Sequence, residues 1–221
     1  MTERLVLVEE SVWDRYQMLG EPLRGRLDDP RWARFCALAH ATGTDLARRT
    51  RGRYPGLPPR AVLEALGAQI QSMPAQEGVS RLFASFTEPN LVRVYEPAAR
   101  AAQELLRESG GRLPGPASLR EILLAHELFH LLEYREPLPT SEKLLVLWKL
   151  GPFEYKSRVS ALSEIAAASF TRAFLELNYS PNLLDVLLLY PQDRAEALQL
   201  YDLILSLEKP DGTGTEQEEN A

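Results

Sequence analysis

Apolar residues recur at steps of three and four over most of this chain, a spacing that predicts helices. In residues 8–50, Leu, Trp, Phe and Ala follow it, with breaks at 20–22 and 28–30, where glycine or proline interrupts the pattern. We therefore predict two or three helices in this region. A turn-rich connector rich in Arg, Gly and Pro follows at 49–60 and leads into a short helix.

The pattern changes between residues 68 and 97, where short segments alternate apolar and polar positions between Pro, Gly and Asn. Two of these segments, SRLFASF and LVRVYEP, are separated by Thr87-Glu88-Pro89-Asn90, which favours a hairpin. We expect a small, mostly antiparallel sheet of about three strands here.

A long helix is predicted after residue 117. Ser118 and Glu121 have the spacing of a capping box, apolar positions give the helix a buried side, and Pro137 ends it. Three more helices are predicted at about 156–178, in NLLDVLLLY and in DRAEALQLYDLILSL.

These elements predict an α+β protein that is mostly helical, with a small antiparallel β-sheet beside the long helix. The expected organisation is an N-terminal helical segment at 1–50, a main unit at 51–208 and an acidic tail at 209–221, whose polar composition predicts disorder.

Length, charge and cysteine content exclude some classes of protein. The length of 221 residues suits one domain, and the net charge of −6 argues against a general affinity for nucleic acid or anionic membranes. The single cysteine, Cys36, excludes an intramolecular disulfide. The first residues do not resemble a secretory signal, and no apolar run reaches the ~18–20 residues of a membrane span, so we expect a cytoplasmic protein.

Two of the three histidines form the motif His126-Glu127-Leu128-Phe129-His130 on the predicted long helix. Positions four residues apart share one helix face, so both imidazoles can bind one zinc ion at about 2.0–2.1 Å. Glu127 can then take a proton from a zinc-bound water, which attacks a carbonyl group polarised by the metal. The motif therefore predicts a zinc-dependent hydrolase.

A catalytic zinc ion needs a third protein ligand, and the sequence offers three. His40 lies far upstream, and Glu133 lies too far along the axis of a continuous helix to share the metal. Glu164 is favoured, because it is an acid in the apolar stretch SALSEIAAASF, where an unpaired charge would be costly.

The pattern His126-Glu-x-x-His130 followed by Glu164-Ile-Ala-Ala-Ala-Ser-Phe170 resembles the glutamate-zincin class, and more narrowly the ImmA/IrrE-type metallopeptidases. That family has a small sheet before the zinc helix and an E-x-x-A-x-x-F helix after it, the order predicted here. The resemblance covers roughly residues 45–178. Leu128-Phe129 departs from the family's usual small residue before the second histidine.

The resemblance implies a zinc metallopeptidase that cleaves a peptide or protein substrate inside the cell, and in some members a regulatory protein. His126, His130 and Glu164 would bind the metal, and Glu127 would be the general base. Tyr155 could donate a hydrogen bond to the developing oxyanion, with Tyr134 as an alternative. Glu154 and Ser160 could support the metal-binding histidines.

Other interpretations stay open. The same fold could serve as a catalytically silent binding or regulatory module, or the motif could be a coincidence in a helical interaction protein. A di-iron bundle needs a second Glu-x-x-His, and His40 has Ala37 where that glutamate should be. Measuring the bound zinc would distinguish the two zinc-binding interpretations from the helical interaction protein.

Overall fold

The computed structural model describes residues 1–74, 82–109, 113–142 and 144–208; the predicted disordered tail lies outside them. The helices are α1 (Thr2–Val6), α2 (Glu10–Leu19), α3 (Asp29–Arg53), α4 (Pro59–Ala65), α5 (Glu96–Glu108), α6 (Leu119–Arg135), α7 (Ala161–Leu175), α8 (Leu184–Leu189) and α9 (Arg194–Ser206). The strands are β1 (Gln69–Ser72), β2 (Ala84–Thr87), β3 (Leu91–Val94), β4 (Leu145–Leu150) and β5 (Phe153–Ser157). The mostly helical α+β class is confirmed.

Helix α6 begins with the predicted capping box. The Ser118 hydroxyl accepts a hydrogen bond from the Glu121 N–H at 3.2 Å, and the Glu121 carboxylate accepts one from the Ser118 N–H at 2.9 Å. Leu124, Leu128 and Phe129 are fully buried. Their burial fixes the rotation of α6 about its axis.

Helix α7 lies against both α6 and α3. Gly43 of α3 permits the closest approach, because a Cβ atom there would lie 2.1 Å from the Ala166 carbonyl oxygen of α7. The N-terminus of α7 is held by the buried Glu21 carboxylate, which accepts hydrogen bonds from the Ala161 N–H at 3.0 Å and the Ser160 hydroxyl at 2.8 Å. A carboxylate is favourable at this positive end of a helix.

The first sheet has the strand order β1-β3-β2 and packs against α6. β2 and β3 form the predicted antiparallel hairpin, but β1 pairs with β3 in parallel, so the expectation of an antiparallel sheet was wrong for β1. The alternation of side chains is the same in both kinds of sheet and does not reveal which strand pairs with which.

The second sheet is the hairpin β4–β5, which the sequence analysis missed. Its last residues were predicted to begin the helix at 156–178, but Lys156 and Ser157 pair with β4, and the helix begins at Ala161. One face of the hairpin carries exposed apolar side chains, including the stacked rings of Trp148 and Tyr155. The turn contains Gly151 at a φ of 57°. The dipeptide Gly151-Pro152 was the available turn signal.

Among the described residues, two hydrophobic clusters form the core. One surrounds α6 and α7, and α3 contributes Ala39 and Leu46 to it. The other joins Trp13 near the start of the chain to Leu188 and Ile204 of the C-terminal helices. Segment 1–50 therefore contributes to both clusters. In the described residues, no helix has the length and apolar character that crossing a membrane requires.

Candidate metal centre

His126, His130 and Glu164 converge, as the sequence predicts. The Nε2 atoms of the two histidines lie 3.0 Å apart. Glu164 Oε2 lies 3.1 Å from His126 Nε2, and its Oε1 lies 3.6 Å from His130 Nε2. The histidines occupy one face of α6, and the carboxylate reaches them from α7. Two packed helices thus supply three donor atoms to one point.

The donor set fits zinc. Four tetrahedral ligands at about 2.05 Å from zinc are separated by about 3.3 Å from one another. The separations here, 3.0, 3.1 and 3.6 Å, lie on both sides of that value. Two imidazoles and one carboxylate are the ligand set of a common class of catalytic zinc sites. These three residues could hold a zinc ion and leave its fourth position free for water or substrate.

The electrostatics of the site favour positive charge. Burial opposes protonation of His126, but the hydrogen bond and charge of Glu164 outweigh it and raise the His126 pKa to about 9. Burial also opposes ionisation of Glu164, and its hydrogen bond with His126 nevertheless lowers its pKa to about 2. The ionised carboxylate therefore attracts a cation to the point where the donor atoms meet.

Glu127 is a buried acid beside the candidate metal ligands, with only 4% of its surface exposed. Burial raises its pKa; the two neighbouring histidines and a backbone hydrogen bond from Phe86 act in the opposite direction. The Phe86 N–H lies in strand β2, so the sheet holds this carboxylate from the side opposite α6. A carboxyl with a raised pKa is suited to accept a proton and then release it.

The ligands and Glu127 line an open cavity of about 860 Å³. Strand β2 forms one wall through Ala84 and Phe86. The end of α6 contributes Tyr134, and Arg158 follows strand β5. The cavity is therefore large enough for several residues of a peptide and has the donor atoms at its surface.

Behind His130 lies a second acid, Glu133. Its carboxylate accepts hydrogen bonds from Thr140 Oγ1 at 2.7 Å and from the Ser163 hydroxyl. It lies 3.8 Å from His130 Nδ1, on the side of the ring away from the other ligands. Burial would raise the Glu133 pKa, but the neighbouring His130 and the hydrogen bonds from Ser163 and Thr140 lower it. These contacts favour the ionised form of Glu133 next to His130, a candidate metal ligand.

The structure does not bring Tyr155 to this cavity. Its side chain lies on β5, is 54% exposed and stacks on Trp148 with the ring centroids 5.8 Å apart. It is not among the described residues that line the cavity. The alternative, Tyr134, does line the cavity, with its ring 5.8 Å from that of Phe86.

The remaining polar residues that the sequence singled out have other partners. His40 bonds Ser169 Oγ at 2.6 Å and Asp14 at 3.0 Å, and it lines a different cavity. Glu154 forms ion pairs with two lysines of the second hairpin. Ser160 donates to Glu21. None of these contacts involves His126 or His130.

Sequence reasoning missed the roles of Glu133, Phe86 and Arg158. Glu133 was considered only as a metal ligand, although its position three residues after His130 places it one turn along the same helix face. Phe86 acts through its backbone, which no side-chain pattern reveals. Arg158 reaches the cavity only because the undetected hairpin returns the chain there.

In comparisons with known proteins, no family model, curated protein or solved structure matches this chain. Any function must therefore be inferred from the geometry of the candidate metal centre.

Proposed function

We propose that this protein is a zinc-dependent hydrolase of the peptide bond. The observation that carries the proposal is the arrangement of His126, His130 and Glu164 around one point, with the buried Glu127 in the same cavity. A structural zinc site has four protein ligands, whereas three ligands and an open cavity suit catalysis.

A zinc ion bound there would polarise the substrate carbonyl and lower the pKa of a water molecule. Glu127 takes the proton from the attacking water and passes it to the nitrogen of the leaving amine. Its place in the same cavity as His126, His130 and Glu164 puts the carboxyl beside the water that it would deprotonate. Tyr134 and Arg158 line the cavity and could donate a hydrogen bond to the developing negative charge on the carbonyl oxygen.

The substrate we propose is an extended polypeptide. Among the described residues, β2 pairs only with β3, which leaves its other edge available. The Phe86 N–H points from that edge to Glu127, so the edge faces the metal centre. An extended chain could pair with this edge and bring one of its carbonyl groups to the metal.

Metal analysis tests the ligand assignment. We expect about one zinc ion per chain in the wild-type protein and in Glu127→Gln, and little in Glu164→Ala. The matched control is Glu154→Ala, which removes an acid from the exposed hairpin and should leave the zinc content unchanged. No zinc in the wild type after zinc is supplied would overturn the proposal and favour a helical interaction protein.

Cleavage of a complex peptide library tests the reaction. New N-termini should form with the zinc-loaded wild type, while Glu127→Gln should be slower by about 10²–10⁴-fold with its zinc retained, because it lacks the general base. Equal rates for both proteins would contradict the role of Glu127. Stoichiometric zinc without any cleavage would favour the silent binding module.

A further inference from the structure

Glu133 is an acid in a mostly buried position, with 13% of its side chain exposed. Keeping a carboxylate away from water is costly unless its oxygens are bonded. Both oxygens of Glu133 have partners: Oε1 accepts from Thr140, and Oε2 accepts from Ser163. Ser163 and Thr140 are neutral, and the carboxylate charge lies 3.8 Å from His130 Nδ1.

The orientation of the His130 ring explains what that charge does. Its Nε2 atom faces His126 and Glu164, and its Nδ1 atom faces Ser163 Oγ at 3.5 Å and Glu133 Oε2 at 3.8 Å. Because the Ser163 hydroxyl donates to Glu133, its oxygen is free to accept from His130 Nδ1–H. This chain of contacts favours the tautomer that carries its proton on Nδ1 and presents an unprotonated Nε2.

We propose that Glu133 is a positioning residue, which orients His130 for metal binding both directly and through Ser163. This inference rests on the proposed metal site. Carboxylates behind metal-binding histidines fix the ring and its tautomer and raise the basicity of the ligand nitrogen. Glu133 lies on the same helix as His130, whereas Ser163 comes from α7 next to Glu164, so the contact also couples the two ligand-bearing helices.

The test compares Glu133→Gln with Glu136→Gln. Glu133 and Glu136 both lie near the end of α6 and line the same cavity, and each substitution removes one carboxylate charge. Glu136 pairs with Arg49 and not with a proposed metal ligand, so it serves as the control. Zinc affinity, measured by competition with a chromogenic chelator, should fall about 10–100-fold in Glu133→Gln and stay unchanged in Glu136→Gln. Ser163→Ala should weaken binding by a smaller factor.

Two further measurements separate positioning from a merely structural role. The visible spectrum of the cobalt-substituted protein should change in Glu133→Gln and not in Glu136→Gln, since it reports the geometry of the ligands. The thermal midpoints of the metal-free proteins should show that both variants fold.

If the wild type binds zinc and a folded Glu133→Gln binds it equally tightly, with the same cobalt spectrum, the inference is overturned and the proposed function stands. A wild type that binds no zinc overturns both.

Discussion

At the scale of single residues, His40 is a candidate metal ligand by its sequence, but in the structure it bonds Asp14 and Ser169. Ser169 donates its hydroxyl to the Ile165 carbonyl at 2.9 Å, so it accepts a hydrogen bond from His40 Nδ1. His40 Nε2 faces Asp14 at 3.0 Å. Both ring nitrogens face groups that can accept a hydrogen bond, an arrangement that favours the protonated imidazole between α2 and α7.

This arrangement predicts how stability changes with pH. Burial opposes the charge on His40, but the hydrogen bond and charge of Asp14, with a smaller contribution from Glu10, raise its pKa above the usual 6.5; Arg172 acts against them. A pKa raised in the folded state means that protonation favours folding. The stabilisation is complete below pH 6.5 and is lost as the pH rises through the folded-state pKa.

Urea unfolding of the metal-free wild type and His40→Gln from about pH 5 to about pH 9 measures this effect. The difference in free energy of unfolding between the two should be largest at low pH and should shrink as the pH rises. A difference that stays constant across this range would contradict the assignment of a charged His40.

At the scale of secondary-structure elements, the close crossing of α3 and α7 determines where Glu164 lies. A methyl group on Gly43 would meet two backbone atoms of α7, the Ala166 oxygen at 2.1 Å and the Phe170 nitrogen at 2.9 Å. Backbone atoms inside a packed helix cannot move aside singly, so the whole of α7 would have to shift. Glu164 lies on α7 only two residues before Ala166.

We therefore expect Gly43→Ala to lower the free energy of unfolding by about 1–3 kcal/mol, the usual effect of overpacking, and to weaken zinc binding. Gly52→Ala is the matched control, because it lies in the same helix and nothing lies within 4 Å of the new methyl group. It should raise stability by about 0.5 kcal/mol, since alanine favours helix over glycine. Denaturant unfolding and chelator competition measure both quantities. Equal effects of the two substitutions would disprove the close contact.

The elements that could be predicted from the sequence are those whose determining residues lie close together in the chain. The capping box at Ser118 and the spacing of His126 and His130 lie within one helix, and the structure bears out both. Glu164 could be selected because an acid among apolar residues needs a partner. The parallel pairing of β1 and the Glu21 cap of α7 join residues distant in sequence, and no local pattern encodes such contacts.

At the scale of the whole molecule, metal binding and folding should be linked. The ligands come from two helices, and Glu164 lies 34 residues after His130, with the second hairpin between them. A metal that binds the folded chain in preference to the unfolded one stabilises it by mass action, by about 2.7 kcal/mol when the free metal is at 100 times its dissociation constant.

Thermal unfolding with zinc and with a chelator should show this linkage. Zinc should raise the midpoint of the wild-type protein, and the chelator should return it to the metal-free value. In Glu164→Ala the zinc-dependent rise should be much smaller. The same rise in both proteins would show that zinc stabilises the chain from another site.

The dependence of the ligand set on two helices has a practical consequence. His126 and His130 belong to α6, and Glu164 belongs to α7. The distances between their donor atoms therefore change whenever one of these helices shifts relative to the other. A bound spectroscopic metal would report shifts of a few tenths of an ångström that leave the overall secondary structure unchanged. Substitutions anywhere in the surrounding core could be ranked by that signal, which would turn the metal centre into a sensor of the protein's own packing.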